Sequence, residues 1–202
     1  TEYAAKHIVL AEKEQPQEDA GVQDETVLIP VKYPEYANRL TNLALLMRNP
    51  KRDHDLVALS VVYDDANIDR KRSEGAKLLE QVTSYAASAD VKMQSQLRVA
   101  TNIANGIMHA FKEFRATEVV IGMHMHFSDS TTFWGKFHQS LFNGLSRQII
   151  IARLMQPLST LRRIVVCVPS RAQFEPGFYR WLERLSRLAE NLDCRIAYHG
   201  RQ

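Results

Sequence analysis

Two cysteines, eight glycines and seven prolines are all that the 202 residues hold of the types that staple, bend or break a chain. Cys167 and Cys194 stand without a CxxC or a Cys/His zinc spacing, which excludes a disulfide scaffold and a zinc module. Both fall in predicted strands and read as buried thiols of a reducing compartment. No apolar run approaches the ~18 residues that cross a bilayer, and no signal peptide is visible. Gly-x-Ser-x-Gly is missing, as is any Ser/His/Asp or Cys/His arrangement that would argue for a nucleophile; the chain is not expected to be an enzyme. Excess charge of one sign is scarce too. Lys and Arg number 26 against 23 Asp and Glu, a net +3, too little to imply a nucleic-acid partner. The charge is uneven, acidic over the first 25 residues and basic over Arg147–Arg187, which reads as solvated surface.

What is present is alternation, and it occurs twice. Val27–Val31 is a short β-branched run, suited to a strand buried on both faces. A helix follows near Pro34–Arg48, with Leu40, Leu43, Ala44 and Met47 at helical spacing. Strand Leu56–Val62, helix Arg70–Ala87 with Ala76, Leu79, Val82 and Ala86 inward, strand Val91–Val99 and helix Asn102–Phe114 come next. Strand Val119–Gly122, a loop over His124–Trp134, a short helix Lys136–Leu145 and strand Ile149–Leu154 complete five β segments. From Ile164 the order restarts: Ile164–Pro169, a helix near Glu175–Leu192 and strand Arg195–His199.

Such alternation predicts an α/β fold, a doubly wound five-stranded parallel sheet of the Rossmann-like three-layer kind, plus the start of a second similar unit. Residues 1–26 read as an approach helix (Glu2–Glu14) and an acidic linker, 27–158 as the complete unit, and 159–202 as a truncated second βαβ unit. The start at Thr1 and the stop after one βαβ are expected of a piece of a longer protein.

In doubly wound sheets ligands sit outside the carboxyl ends of the strands, where strand order reverses. That places Lys32 and Tyr33, Tyr63 and Asp64, and the loop after Gly122 under suspicion. The loop from Gly122 to Lys136 is polar, bracketed by Gly122 and Gly135, and ends at a predicted helix N-terminus. Exposed N–H groups there favour a phosphate, Gly135 permits close backbone approach and Lys136 adds a cation. The alternative is a tight strand exit and helix start with no ligand. His124, His126 and His138 with Asp129 do not amount to a firm metal set and read as solvated loop side chains. Tyr63-Asp64-Asp65 reads as a turn that caps the following helix rather than as a metal carboxylate pair.

The Gly122–Gly135 spacing, with Ile149-Ile-Ile151 following, resembles the end of the nucleotide-binding unit of universal stress proteins. The resemblance covers about Val27–Leu154. It implies a phosphate- or nucleotide-binding site at Lys32, Gly122, His124, Gly135 and Lys136, with ATP, ADP or AMP as candidate cofactors. Three departures stand out. Met125 replaces the motif's second glycine, Lys136 its Ser/Thr, and Lys32 the aspartate that contacts the nucleotide. The last reverses a charge, so the departures favour an anion or an altered nucleotide over tight ATP binding of the family's kind.

A second resemblance covers more of the chain. Tyr3-Ala-Ala-Lys6, Asn143-Gly144-Leu145 through Leu154, Arg162–Pro169 and Phe174-Glu175-Pro176-Gly177-Phe178 look like stretches of the cytoplasmic tail of bacterial sodium/proton antiporters of the monovalent cation:proton group. That implies a regulatory domain at the cytoplasmic face of the inner membrane, with a transmembrane antiporter domain in the same polypeptide as partner. Transport would be done by membrane helices outside these residues. A homodimer through the apolar edge strand Ile149–Leu154 is also expected. The competing expectations are a soluble tandem universal stress protein binding ATP or AMP, and a structural dimerisation domain with an empty cleft.

Overall fold

The computed structural model describes residues 25–49, 54–123, 139 and 148–200. Seven strands and four α-helices are described there. β1 (Glu25–Pro30), α1 (Pro34–Met47), β2 (His54–Tyr63), α2 (Ile68–Ala87), β3 (Met93–Ala100), α3 (Ile103–Glu113), β4 (Glu118–Gly122) and β5 (Gln148–Ala152) form the first unit. β6 (Arg163–Val168), α4 (Phe178–Asn191) and β7 (Arg195–Gly200) form the second. The first five strands make one sheet of order β3-β2-β1-β4-β5, parallel at every pairing. This is the doubly wound α/β sheet expected from the alternation. β6 and β7 form a separate parallel pair, with Arg163 opposite Arg195 and Val168 opposite Gly200.

The period of two along the central strands decides which helix covers which face. Val27 and Ile29 of β1, with Leu56 and Ala58 of β2, pack against Leu40, Leu43 and Met47 of α1 and Leu79 and Val82 of α2. Their neighbours Leu28, Val57 and Leu59 point the other way, onto Ile107, Ala110 and Phe111 of α3. The first crossovers therefore lie on one face and the third on the other. Strand order reverses beside β1, which puts the carboxyl ends of β1, β2 and β4 at one end of the molecule.

Several boundaries differ from the sequence reading, each for a local reason. β1 starts at Glu25, inside the stretch read as linker, because Glu25 pairs with His54 in the β1–β2 ladder and is buried. α2 turns Gly75 and Leu78 inward, while Ala76 is exposed. A Cβ at Gly75 would stand 2.9 Å from Ser60 Oγ and 3.0 Å from Leu97 Cδ1, so the close approach of helix to sheet needs a glycine there. β3 starts at Met93. Val91 instead closes the end of α2, donating to Ala86 O at 3.0 Å after Asp90 turns left-handed at φ 54°. α4 starts at Phe178 rather than near Glu175, because Gly177 at φ 83° redirects the chain into it.

The two units share a core. Leu188 of α4 is buried in the same cluster as Leu40 and Met47, and Ile150, Leu161, Ile164 and Leu192 pack against that cluster. Arg184 reaches from α4 to the amino ends of β1 and β4. Its Nε and Nη2 donate to the two carboxylate oxygens of Glu118 at 3.2 and 2.7 Å, its Nη1 donates to Met47 O at 3.3 Å, and its Nη2 pairs with Glu25. Arg184, Glu25 and Glu118 are all at most 2% exposed. Burial disfavours the guanidinium charge, but Glu118 and Glu25 overcome that and hold its pKa above the usual value. Asn49 and Asn191 add bonds across the join, to Glu183 Oε1 at 3.0 Å and Leu46 O at 2.7 Å.

The cysteines are not buried strand thiols. Cys167 is exposed on β6 and Cys194 is half-buried in the turn before β7, and both are free. The period of two explains Cys167: on β6, Arg163, Val165 and Cys167 share the outward face.

Candidate functional site: a cationic cleft at the carboxyl ends of the strands

The exits of β1 and β2 open onto a cleft of about 480 Å³, a size suited to a small organic ligand. Four elements line it, α3 through Ile103 alone. The β1–α1 connection supplies Val31, Lys32, Tyr33 and Pro34; the carboxyl half of β2 supplies Ser60 through Tyr63; and the first turns of α2 supply Lys71, Glu74, Gly75 and Leu78. Pro34 at the start of α1 sets the helical φ without costing a hydrogen bond, which fixes where Lys32 and Tyr33 leave the strand. Gly75 lets α2 lie against Ser60 and forms part of the cleft's floor.

The charges in this cleft are arranged unequally. Lys32 is exposed, its Nζ lies 4.9 Å from the centre of the Tyr33 ring, and among the described residues it meets no carboxylate. Lys71 lies 5.6 Å from the Tyr63 ring and is also ion-paired with Asp65 in the β2–α2 turn. Asp65 accepts the Asn67 N–H at 2.9 Å with its other oxygen, an Asx turn; the cap expected from Tyr63-Asp64-Asp65 is not made, because Asn67 stands at the N-cap of α2 and forms no side-chain cap bond. The Lys71 hydrogen bond, assisted by the Asn67 N–H, holds the Asp65 carboxyl below the usual carboxylate range. Glu74 is the one carboxylate lining the cleft among the described residues; it is largely exposed and reaches Arg70 at 3.8 Å.

Of the residues expected at the site, Lys32 lies in this cleft. Gly122 is buried at the carboxyl end of β4, the strand that pairs with β1, but does not line the cleft. His124, Gly135 and Lys136 lie outside the described residues, as do His126, His138 and Asp129. Of the edge strand Ile149–Leu154 expected to form a homodimer, residues 149–152 lie in β5 (Gln148–Ala152), at the end of the sheet. Tyr63 was marked by the topology rule. Lys71 and Ser60 were not. The signal for Lys71 was its place one turn into the helix after a β-strand exit, close to where Lys32 emerges.

No protein-family model matches the chain and no curated protein sequence does. Solved structures do match in shape. The universal stress protein from Archaeoglobus fulgidus superposes with a TM-score of 0.51 and 16% identity, over 63% of this chain and 97% of that one. Its complex with dAMP gives 0.50 and 14%, over 64% and 98%. The cytoplasmic domain of a prokaryotic cation chloride cotransporter gives 0.53 and 13%, over 88% of this chain and 66% of that one. At these identities the likeness is one of fold: the first unit is a universal-stress-like α/β unit, with a five-stranded parallel sheet flanked by helices.

Proposed function

We propose that the chain is the cytoplasmic regulatory domain of a sodium/proton antiporter, and that it takes a phosphate-bearing ligand at the carboxyl ends of β1, β2 and β4. The observation that carries this reading is the cleft holding Lys32 and Lys71 beside two tyrosine rings. A cation over an aromatic face, next to apolar walls, suits an anionic ligand with a ring. The likeness to a transporter's cytoplasmic domain supports the regulatory part, because it runs over 88% of the chain and so takes in the second unit, whereas the universal stress protein covers 63%. The dAMP complex of that protein supports a nucleotide as the ligand class. Transport belongs to membrane helices elsewhere in the polypeptide; no described helix is long and apolar enough to cross a bilayer. Regulation requires that the ligand bind two transporter states with different affinity.

The test is thermal unfolding with ATP, ADP, AMP and cyclic nucleotides, with and without Mg²⁺. A ligand at 100 times its dissociation constant adds about 2.7 kcal/mol, which at this size raises Tm by roughly 5–10 °C. The shift should be lost in Lys32→Met and reduced in Lys136→Ala. No shift at millimolar nucleotide would overturn the ligand reading and leave assembly as the domain's work. We read the chain as a binding module rather than an enzyme; metal-dependent ATP turnover lost on Lys136→Ala would contradict that.

A further inference from the structure

The two cleft lysines are not equivalent, and the difference bears on which ligand fits. Lys32 has no acidic partner among the described residues. Lys71 does, and the partner is Asp65, three residues before the helix that carries Lys71. Asp65 does not line the cleft, but Lys71 and Tyr63 do. A ligand anion that reaches the Tyr63 side therefore competes with Asp65 for one ammonium group. We infer that Asp65 is a built-in competitor at this cleft, and that the site selects a ring-bearing phosphate monoester, such as a nucleoside monophosphate, over a phosphodiester. This rests on the ligand-binding reading above.

A phosphate monoester carries close to two negative charges at neutral pH, with its second pKa near 6, whereas a cyclic phosphodiester carries one. One charge is met by Lys32 alone. Only the second gives a ligand enough to draw Lys71 away from a carboxylate that is already hydrogen-bonded to it. The Asn67 N–H bond keeps Asp65 in place when Lys71 leaves, so the turn has somewhere to rest in the bound state. The tyrosine rings beside each lysine supply stacking surface that bare phosphate cannot use.

AMP, 3′,5′-cyclic AMP and inorganic phosphate are the probes, titrated calorimetrically into the natural chain, Asp65→Asn and Lys71→Met. Asn at position 65 keeps the oxygen that accepts from Asn67 and removes the charge. AMP should bind the natural chain at least about tenfold tighter than cyclic AMP or phosphate. Asp65→Asn should tighten AMP about two- to fivefold, the range spanned by an exposed ion pair, and leave cyclic AMP unchanged. Lys71→Met should lower AMP to the cyclic AMP level. Asp65→Asn with no effect on AMP, Lys71→Met weakening both nucleotides equally, or phosphate binding as well as AMP would each overturn the inference while leaving a ligand site standing. Failure of every probe to bind the natural chain would remove the ligand reading itself, and this inference with it.

Discussion

Replacing Arg184 by methionine keeps most of the side chain's apolar length and deletes its donors. In the folded chain those donors serve both oxygens of Glu118, Glu25 and the Met47 carbonyl, in a setting where all three charged residues are at most 2% exposed. The substitution leaves the Glu118 carboxylate facing a dry join between α4 and the strand ends without the donors to its two oxygens. Removing one partner of a buried ion cluster costs about 3–5 kcal/mol, because the remaining charge keeps its desolvation penalty and loses its compensation. Against a total stability of about 5–15 kcal/mol for a domain, that is a large fraction, and it lowers Tm by roughly 6–20 °C. Urea titration followed by circular dichroism and by tryptophan fluorescence measures the loss and reports whether the two probes stay coincident. A cycle with Glu118→Gln isolates the pair: the two substitutions together should cost less than their sum, by about 0.5–3 kcal/mol. The folded pKa of Arg184 is raised, so its contribution is fully present below the unfolded value and is lost only as pH rises through the still higher folded one. The result should not change between pH 6 and 9 on its account. A loss under about 1 kcal/mol, or strict additivity with Glu118→Gln, would refute the argument and mean that water or rearrangement relieves the carboxylates at little cost.

Three other outcomes are expected. Gly106→Ala places a Cβ 2.6 Å from Val61 Cγ1 and 3.2 Å from the Ala100 Cβ; overpacking should cost about 1–3 kcal/mol despite alanine's better helix propensity, and adding Val61→Ala should recover part of it in the same urea titration. Asn102→Ala removes the side-chain oxygen that accepts from the Asn105 N–H at 3.1 Å at the start of α3, and should cost about 0.5–2 kcal/mol in chemical denaturation. The Asp65 carboxyl is held below its usual range, so its stabilising contribution is present above the unfolded pKa near 4 and is lost as pH falls through the lower folded value. Denaturation midpoints of the natural chain and Asp65→Asn should therefore converge on acidification below about pH 4, and a gap that widens there would contradict the assignment.

Much of the architecture could be read from period and order. The β-branched run at Val27–Val31, the helical spacing of Leu40, Leu43, Ala44 and Met47, and the restart at Ile164 each reflect short-range chemistry, and the alternation implies a parallel sheet joined by right-handed crossovers. The errors lie where a distant contact overrides a local preference. Ala76 looks like a better inward residue than Gly75 until Ser60 and Leu97 are seen to leave no room for a Cβ. Cys167 looks buried because β-branched neighbours surround it, but alternation sends it outward on a two-stranded sheet. Glu25 looks like linker because acidic residues precede it, and nothing near it in sequence announces Arg184. At the cleft, the rule about strand ends found Lys32, Tyr33 and Tyr63. Lys71 escaped because its role depends on where the first turn of α2 points.

The bond between Arg184 and Glu118 also sets an order of events during synthesis. The two residues are 66 positions apart. At about 5–20 residues per second, a ribosome that has just added Glu118 needs roughly 3–13 s more to add Arg184. Throughout that interval every strand up to β5 can be made, yet Glu118 has no guanidinium to face, and the amino ends of β1 and β4 cannot close over it dry. The first unit thus waits, wet at one end, for a helix that belongs to the second. A stop codon between β5 and α4 would leave behind a first unit whose last folding step had never been possible.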